Sequence, residues 1–418
     1  MNRFLLCAGF LLTASRVFAA TEAASVDERF RALEARLATV ERENAELRAH
    51  LTAASLGAPV PAYGYHGNGT NTALGSGVAV PAGTETRVTI GGFTQVQAEF
   101  GGTGDERFTG GGDRLYARRS RLSLIASFAE HFEARVEGEF GANTTAPTSG
   151  LRAMANELYL NWSRYPAANV RVGQIKPAFS AELLAIEYRG PMAERSLGAE
   201  RVGDGRQIGA SMFGELIPRR LSYAVMLANG NGTNTSANDN RKFHESAHLT
   251  ATAFDAPAAG RLTLGAGGLH TRDNAASKPG FGLDAVAGGA IDNVFTGSRD
   301  GWGVDAAWRR GLLEVSSELL RMRFRPLNRT PDPKFDAESW QLTAAFFLVP
   351  EKFQFAVRHE HFDPNLSHRG DSTDNWDVGF NYYVKGDDIR LIVNYLFGHA
   401  AGLPDNRGRL LTRFQIVY

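Results

Sequence analysis

Cysteine is almost absent from this chain. One of its 418 residues is a cysteine, Cys7. Because Cys7 lies in a predicted leader, we expect a mature chain with no thiol, which excludes disulfides, cysteine nucleophiles and thiolate metal sites. After the leader, no stretch approaches the roughly 20 consecutive apolar residues that a membrane-spanning helix requires. A secreted chain of this kind is either soluble or a membrane β-barrel.

An excess of charge of either sign is also absent. Lysine plus arginine total 45, and aspartate plus glutamate total 45. This balance favours no nucleic-acid partner, and any charge selectivity has to be local. Glycine is abundant at 46 residues against 16 prolines, but collagen and disorder both fit the composition poorly.

Residues 1–20 are predicted to be a secretory signal peptide. Arg3 precedes an apolar run from Phe4 to Leu12, and Val17 and Ala19 stand before the expected cleavage point after Ala19 or Ala20. We interpret Cys7 as apolar filler within this leader. The leader predicts export from the cytoplasm.

Residues 26–52 are predicted to form a coiled coil. Apolar residues recur with a heptad spacing, with Asn44 at one a position. Charges at the g positions are opposite in sign to those at the following e positions in all three pairs, as for Arg29 and Glu34. This matching favours a parallel oligomer over the alternative of one amphipathic helix that lies on the domain.

A composition change marks the next two segments. Residues 53–86 are rich in Gly, Ala, Pro and Asn without periodicity, and they are predicted to be a linker. In residues 87–418, apolar and polar side chains alternate with a period of two. These residues are predicted to form sixteen antiparallel strands, centred on residues 87–100, 114–128, 131–140, 151–162, 168–176, 207–213, 221–228, 243–254, 261–270, 301–309, 312–323, 338–348, 352–362, 374–384, 389–397 and 409–418.

The connections between these strands alternate in length. Long glycine-rich or polar loops follow the odd-numbered strands, while turns such as "SRYPA", "VPEK" and "KGDD" follow the even-numbered ones. Long loops at one end and tight turns at the other are typical of an outer-membrane barrel, whereas a soluble sandwich has no reason to sort its loops in this way. The predicted fold is all-β, a sixteen-stranded transmembrane barrel preceded by a short helical coiled coil.

The last strand, "RLLTRFQIVY", has the clearest alternation. Leu410, Phe414, Ile416 and Tyr418 share one face, and Arg413 lies on the other. Because a closed barrel pairs its last strand with its first, an ordered terminal strand is expected. Phe414, Ile416 and Tyr418 are predicted to face outer-membrane lipid, with Tyr418 in an aromatic girdle.

Arginines are expected on the water-filled side of the wall. In "RLYARRSRLSLIASF" the apolar phase directs Arg119 and Arg121 inward and Arg118 outward, and Arg135 and Arg171 are inward on later strands. Guanidinium groups in a channel attract anions. The alternative is that they pair with inward carboxylates, which we count in equal number, seven against seven.

The loop after the fifth strand is a candidate for the narrowest point of a channel. The stretch from Pro177 to Arg206 includes an apolar segment able to pack inside a barrel. Charges of both signs at a constriction create a field and a size filter; the alternative is an ordinary solvated surface loop. The basic candidates in and beside this loop are Lys176, Arg189, Arg195, Arg201 and Arg206.

The sequence gives only weak indications of a metal site or of catalysis. His359, His361 and Asp363 in "RHEHFD" share the outward phase, so a polar patch at a rim or subunit interface is favoured over metal ligation. No nucleophile, base and orienting group are recognised together. We therefore expect neither enzymatic activity nor a cofactor or metal.

Several stretches together resemble the phosphate-selective porin O and P family. They are the signal peptide, the coiled coil, "RRSRL", "VRVGQIKPAFS", "LSYAVMLANGNG" and "LLTRFQIVY", and they extend over essentially the whole chain. The resemblance implies a trimeric sixteen-stranded outer-membrane porin of a Gram-negative bacterium. It also implies channel arginines at Arg119 and Arg121 and an inward third extracellular loop at Pro177 to Arg206.

The expected function is passive diffusion of small hydrophilic solutes, with anions such as phosphate or polyphosphate preferred. The coiled coil would lie in the periplasm, where it would reinforce the trimer and reach toward peptidoglycan. The alternatives are an envelope tether or adhesin that uses the barrel as an anchor, and a barrel enzyme with a catalytic cluster at its rim.

Overall fold

The computed structural model describes residue 36 and residues 78–81, 86–145, 150–151, 153–277, 294–327, 334–400, 403 and 408–418. The predicted signal peptide lies outside these residues. So does the predicted coiled coil apart from Arg36, which has helical backbone. Within the described residues no helix combines the length and apolarity needed to cross a membrane.

Sixteen antiparallel strands, β2 to β17, form the barrel. Each is hydrogen-bonded to the next, and β17 also pairs with β2 to close the ring. The strands are Thr86–Gly101 (β2), Arg114–Phe128 (β3), Phe132–Glu139 (β4), Met154–Tyr165 (β5), Ala168–Ile175 (β6), Gln207–Ile217 (β7), Leu221–Ala228 (β8), His244–Ala256 (β9), Gly260–Ser277 (β10), Val294–Arg310 (β11), Leu313–Pro326 (β12), Phe335–Val349 (β13), Phe353–Asp363 (β14), Thr373–Lys385 (β15), Ile389–Ala400 (β16) and Arg409–Val417 (β17). The predicted antiparallel barrel is confirmed.

Closure depends on pairing between the two ends of the barrel domain. The backbone N–H of Gly92 donates to the carbonyl of Tyr418 at 2.7 Å, and the N–H of Tyr418 donates back to Gly92 at 2.9 Å. Inside the barrel, the side chain of Gln95 donates to Gln415 at 2.7 Å. These contacts leave no unpaired strand edge at the seam.

The two faces of the wall differ as the alternation predicts. On β17, Phe414, Ile416 and Tyr418 are exposed on the outside, while Arg413 and Gln415 are buried inside. Much of the interior surface is thus polar, and the exterior is apolar. This arrangement is typical of a barrel wall with hydrocarbon outside and water inside.

Among the described residues, one short strand precedes the barrel. Strand β1, Val78–Pro81, pairs antiparallel with β2 from Ile90 to Arg87. It lies within residues 53–86, the stretch predicted to be linker, and the short Val-Ala-Val-Pro segment has no turn residue before its proline. Proline is tolerated at the end of an edge strand because it needs no ladder hydrogen bond there.

Strands β10 and β11 extend furthest beyond their predicted bounds. Strand β10 continues to Ser277 and β11 begins at Val294, and the two pair along this extension. The extension "TRDNAAS" is polar on both faces. Alternation fails as a signal there because the inward face is itself polar, with Thr271 and Asp273 buried on it, and a hairpin that extends beyond the hydrocarbon needs no apolar outward face.

Three short helices lie in the described parts of the loops. A 3-10 helix covers Glu106–Phe108, and two α-helices cover Ala181–Leu184 (α1) and Leu197–Val202 (α2). Both α-helices belong to the connection between β6 and β7.

On the outer surface, the two histidines of β14 stack against tryptophans. His359 stacks on Trp376 with ring centroids 4.4 Å apart, and His361 Nδ1 lies 2.8 Å from a carboxylate oxygen of Asp374. Their outward position agrees with the sequence interpretation of this motif.

Candidate functional site

The connection between β6 and β7 lies inside the barrel. We call residues 176–206 the constriction loop. Ala178, Phe179, Ala181 and Leu197 in this loop are almost completely buried, although loops normally lie on the surface. The expectation that this loop folds inward is confirmed.

Serine residues start both helices of the loop. Ser180 Oγ accepts a hydrogen bond from the N–H of Leu183, and Ser196 Oγ accepts one from the N–H of Ala199, each at 3.2 Å. These caps satisfy N–H groups that a helix start leaves without a backbone partner. Each helix is too short to be stable alone, so its position depends on contacts with the wall.

An apolar cluster fixes one side of the loop. Phe179, Leu197 and Val202 pack against buried inward side chains of β10 to β14, namely Leu269, Phe295, Leu320, Met322, Phe324, Phe335, Ala337 and Phe362. Gly198 lies so close to the wall that a Cβ there would come within 1.4 Å of Ser339 Oγ. The loop is therefore packed directly on this part of the wall.

Wall carboxylates bind the starts of both loop helices. Glu318 accepts hydrogen bonds from Ser180 Oγ at 2.9 Å and from the N–H of Ala181 at 2.6 Å. Glu360 accepts one from the N–H of Leu197 at 3.0 Å. Carboxylates are favourable at helix N-termini because unpaired N–H groups point at them.

Polar side chains hold the middle of the loop at the neighbouring part of the wall, on β16 and β17. Asn394 accepts from the N–H of Ala193 at 2.7 Å, and Arg390 donates to the carbonyl of Gly190 at 2.9 Å. Gln415 donates to the carbonyl of Tyr188 at 3.0 Å. The contacts of the loop therefore continue around the wall from β12 and β14 to β16 and β17, which follow them in the ring.

Five cations surround one carboxylate of the loop. Glu187 Oε2 lies 2.5 Å from Arg121 Nη1 and 3.5 Å from Arg119 Nε on β3. Its Oε1 lies 3.1 Å from Arg195 and 3.8 Å from both Lys176 and Arg206. We call these six residues the Glu187 cluster. Five of the nine predicted basic candidates are thus brought together.

The cluster shifts the ionisation of its loop members. Burial alone would raise the pKa of Glu187, but Arg121, Arg195, Lys176 and Arg119 hold it well below its usual range. Burial lowers the pKa of Lys176 well below its ordinary value, and Arg195 lowers it further. Glu187 is therefore charged at neutral pH, and an opposite charge within 4 Å is the cause.

A second carboxylate of the loop binds the neighbouring arginines. Glu194 accepts from Arg118 Nε at 2.8 Å and from Arg118 Nη2 at 2.9 Å, and it also pairs with Arg119 and Arg413. Burial raises the pKa of Glu194, but Arg118 and Arg413 outweigh this and hold it well below its usual range.

The outward position predicted for Arg118 is wrong. Arg118 is 2% exposed and faces the loop. The reason is a β-bulge: Gln95 pairs with Arg119 while the next residue, Val96, pairs with Ala117, so Arg118 is the extra residue. A bulge interrupts strict alternation and lets two consecutive side chains turn to one side.

The remaining wall arginines are inward as predicted. Arg135 pairs with Glu137 and, at 3.4 Å, with Glu157. Arg171 lies over the ring of Tyr159 with its guanidinium carbon 4.2 Å from the centroid, and it is 4.8 Å from that of Phe213. The alternative that lumen arginines pair with lumen carboxylates is therefore correct for Arg135.

Two predicted loop cations take partners elsewhere. Arg189 lies 3.8 Å from Asp387 in the turn before β16, and Arg201 lies 2.5 Å from Glu106 in the loop after β2. Neither contact involves the Glu187 cluster. Sequence position within the loop thus did not separate these two residues from Lys176, Arg195 and Arg206.

Sequence reasoning also missed the central position of Glu187. It was one of five acidic residues in the loop, and no spacing rule distinguishes it. The consecutive Arg118 and Arg119 were the one available signal of a bulge, because two adjacent arginines in a strand otherwise put one guanidinium into lipid.

Comparison with known proteins places this architecture among porins. The chain is similar in fold to the anion-selective porin from Comamonas acidovorans (15% identity, TM-score 0.54, covering 79% of this chain and 98% of that one). It is also similar in fold to the trimer form of OmpT from Vibrio cholerae (11% identity, TM-score 0.52, covering 80% of this chain and 100% of that one). A third protein of similar fold is the outer-membrane channel DcaP of Acinetobacter baumannii (15% identity, TM-score 0.55, covering 81% of this chain and 99% of that one). No curated protein matches the chain by sequence.

The sequence profile of one family covers most of the barrel. The profile described as phosphate-selective porin O and P matches residues 90–402, three quarters of the chain. Together with the closed sixteen-stranded wall and the inward loop, this match shows that the chain is an outer-membrane porin of the phosphate-selective porin O and P family.

Proposed function

We propose that this porin lets small hydrophilic solutes diffuse passively across the outer membrane and that it prefers anions such as phosphate or polyphosphate. The observation that carries the proposal is the Glu187 cluster. Its more exposed side chains are mainly cationic: those of Lys176, Arg195 and Arg206 are 18%, 16% and 12% exposed, against 5% for Glu187 and 17% for Glu157, which pairs with Arg206.

Local charge decides selectivity even though the whole chain is neutral. The cations of the cluster also pair with Glu139, Glu157 and Glu194, so the positive field that a solute beside the loop meets comes from the more exposed Lys176, Arg195 and Arg206. Guanidinium groups also match the geometry of oxyanions, since two parallel N–H groups can bind two oxygens. The family match and the anion-selective porin from Comamonas acidovorans support the same preference.

Reversal potential in a planar bilayer tests the anion preference. Purified protein is placed between unequal KCl concentrations, and the sign of the zero-current potential reports which ion crosses more readily. We expect chloride to be preferred, and we expect added inorganic phosphate to reduce chloride current. A cation-selective potential would overturn the preference. Absence of any conductance would favour the tether or adhesin alternative.

The proposal also includes assembly of the porin into a homotrimer. A homotrimer is supported by the trimer form of the similar OmpT, and a parallel coiled coil at residues 26–52 in the periplasm would hold three copies together. Removing residues 26–52 should lower the temperature at which the trimer dissociates on unheated gels. Unchanged dissociation would argue against that role, and co-sedimentation with purified peptidoglycan tests the contact with the cell wall.

A further inference from the structure

Three arginines lie side by side on the outer surface of the barrel. Arg321, Arg323 and Arg325 occupy successive outward positions on β12, and their side chains are 35%, 53% and 40% exposed. The inward positions between them hold Met322 and Phe324, which are buried. An arginine on the lipid-facing side of a barrel is costly at the bilayer midplane and costs little near the membrane surface. We therefore expect these guanidinium groups at the edge of the hydrocarbon.

Aromatic residues mark that edge on the neighbouring strands. Trp302 on β11 pairs with Arg321, and Trp340 on β13 pairs with Leu319, one outward position further from the long loop that follows β12. Long connections are extracellular in barrels of this class, and girdles of aromatic side chains lie at the level of the lipid headgroups. The arginine side chains therefore begin at the girdle and continue toward the extracellular side, among the headgroups of the outer leaflet.

Carboxylates on the two neighbouring strands orient the arginines. Asp336 on β13 accepts hydrogen bonds from Arg323 Nε at 2.7 Å and from Arg321 Nη2 at 2.9 Å. Asp300 on β11 accepts one from Arg325. The side chain of Asp336 is 15% exposed, less than any of the three arginines. A guanidinium group has five N–H donors, so each arginine can bind its carboxylate and a further anion from the outside.

Positive charge exceeds negative charge in this part of the outer surface. On β10 to β13 the outward residues at and beyond the girdle include the cations Arg272, Arg321, Arg323 and Arg325 and the carboxylates Asp300, Asp336 and Glu338. Lys334, directly before β13, is exposed and adds a further cation. We call the four arginines the outer arginine patch. Glu245 on β9 and Asp363 on β14 face outward on its two sides and limit its width.

The outer surface of β2 to β4 differs at the same end of the barrel. Phe100 at the end of β2, Leu115 at the start of β3 and Phe140 directly after β4 are exposed on the outside. These side chains suit hydrocarbon or the apolar surface of a neighbouring copy. The outer arginine patch is thus a feature of one sector of the wall, and contact of the rim with water does not by itself account for it.

We propose that the outer arginine patch binds the phosphorylated headgroup of the outer-leaflet glycolipid, lipopolysaccharide. The headgroup phosphates of this lipid lie next to its acyl chains, which is the level of the patch. Guanidinium groups bind two phosphate oxygens through parallel N–H groups, and basic clusters at a membrane surface attract anionic lipids. The acyl chains would pack on the apolar wall below, where Leu319 and Leu342 face outward. The inference concerns the exterior, so it does not depend on the solute that the channel prefers.

Arg321→Gln, Arg323→Gln and Arg325→Gln combined in one variant test the proposal, because glutamine keeps a polar side chain and removes the charge. Delipidated porin in detergent is titrated into fluorescently labelled lipopolysaccharide, and binding is followed by fluorescence anisotropy. We expect the dissociation constant to rise about tenfold or more, since each basic residue near a membrane surface adds to the attraction of anionic headgroups. Lipopolysaccharide stripped of its phosphates should bind the unaltered protein weakly; equally tight binding of the stripped lipid would overturn the proposal.

Arg164→Gln, Arg220→Gln and Arg310→Gln combined form the matched control. They make the same change of charge at three exposed arginines beside the tight turns, at the other end of the barrel. We expect this variant to bind lipopolysaccharide as the unaltered protein does. An equal loss of affinity in both triple variants would show a general effect of charge, and the assignment of the lipid to the outer arginine patch would be wrong.

Other occupants of the patch give different results. Inorganic phosphate in excess should leave the labelled lipid bound, and its displacement would assign the patch to free anions and overturn the proposal. Unchanged lipid binding with a lower dissociation temperature of the oligomer would assign the patch to a contact between copies, which also overturns it. Should the triple variant not assemble, Arg325→Gln removes one charge while Asp300 keeps its contact with His270 Nδ1 at 2.7 Å. An unchanged dissociation constant in that variant would contradict the proposal.

Discussion

Arg118 on the wall binds Glu194 on the constriction loop through two hydrogen bonds, from Nε at 2.8 Å and from Nη2 at 2.9 Å. Both side chains are nearly completely buried. Two-pronged pairing of this kind fixes orientation as well as charge. Because Arg413 and Arg119 also pair with Glu194, this carboxylate joins β3, β17 and the loop.

Glu194→Ala should therefore destabilise the protein. Removing one partner of a buried pair leaves uncompensated charge and costs about 3–5 kcal/mol. We expect a lower temperature of barrel unfolding on heat-modifiability gels and a larger single-channel conductance as the loop loosens. Glu200→Ala is the control, because Glu200 lies 4.0 Å from Arg118 with its side chain 23% exposed, and a pair this loose contributes at most about 1 kcal/mol.

Gly198→Ala should displace helix α2 from the wall. The added Cβ would lie 2.2 Å from Ser339 Cβ, and overpacking of this kind costs about 1–3 kcal/mol. We expect a lower unfolding temperature and an altered conductance. Gly190→Ala, where a Cβ meets no atom within 4 Å, should leave both quantities unchanged; equal effects of the two substitutions would contradict the packing assigned to α2.

Selectivity should depend on pH through Lys176. Burial lowers its pKa, so the ammonium group loses its proton at a pH below that of an exposed lysine, about 10.4. As pH rises through the lowered pKa the cluster loses one positive charge, and the preference for anions falls. Reversal potentials measured across a pH series from acidic to alkaline should show this fall in the unaltered protein.

Lys176→Arg supplies the comparison for the pH series. A guanidinium group stays protonated throughout that range. The variant should therefore keep its anion preference where the unaltered protein loses part of it. Parallel decline in both proteins would assign the pH dependence to other groups.

Phe414→Arg should destabilise the seam of the barrel from outside. Phe414 is 44% exposed on the outward face of β17 and lies opposite Val96 and Leu391. An arginine facing lipid costs about 2–4 kcal/mol at the bilayer midplane. Phe414→Leu retains an apolar side chain and should cost less than about 1.5 kcal/mol; equal unfolding temperatures for the two variants would contradict a lipid-facing position.

The alternation of side chains by itself determined the wall. A strand directs successive side chains to opposite faces, so apolar residues at every second position identify strands and the face that meets lipid. This local rule placed Arg119, Arg121, Arg135 and Arg171 inside. The number of strands and the order of long loops and tight turns followed from it.

Only the tertiary structure decided the contacts inside the lumen. Arg118 turns inward through a bulge whose register depends on the partner strand, and the polar ends of β10 and β11 are strands because they pair with each other. Glu187 acquires Arg119 and Arg121 as neighbours because the loop reaches β3, while Arg189 and Arg201 of the same loop reach other partners. Alternation is a property of neighbouring residues, whereas the meeting of charges from distant segments depends on how the loop packs within the closed wall.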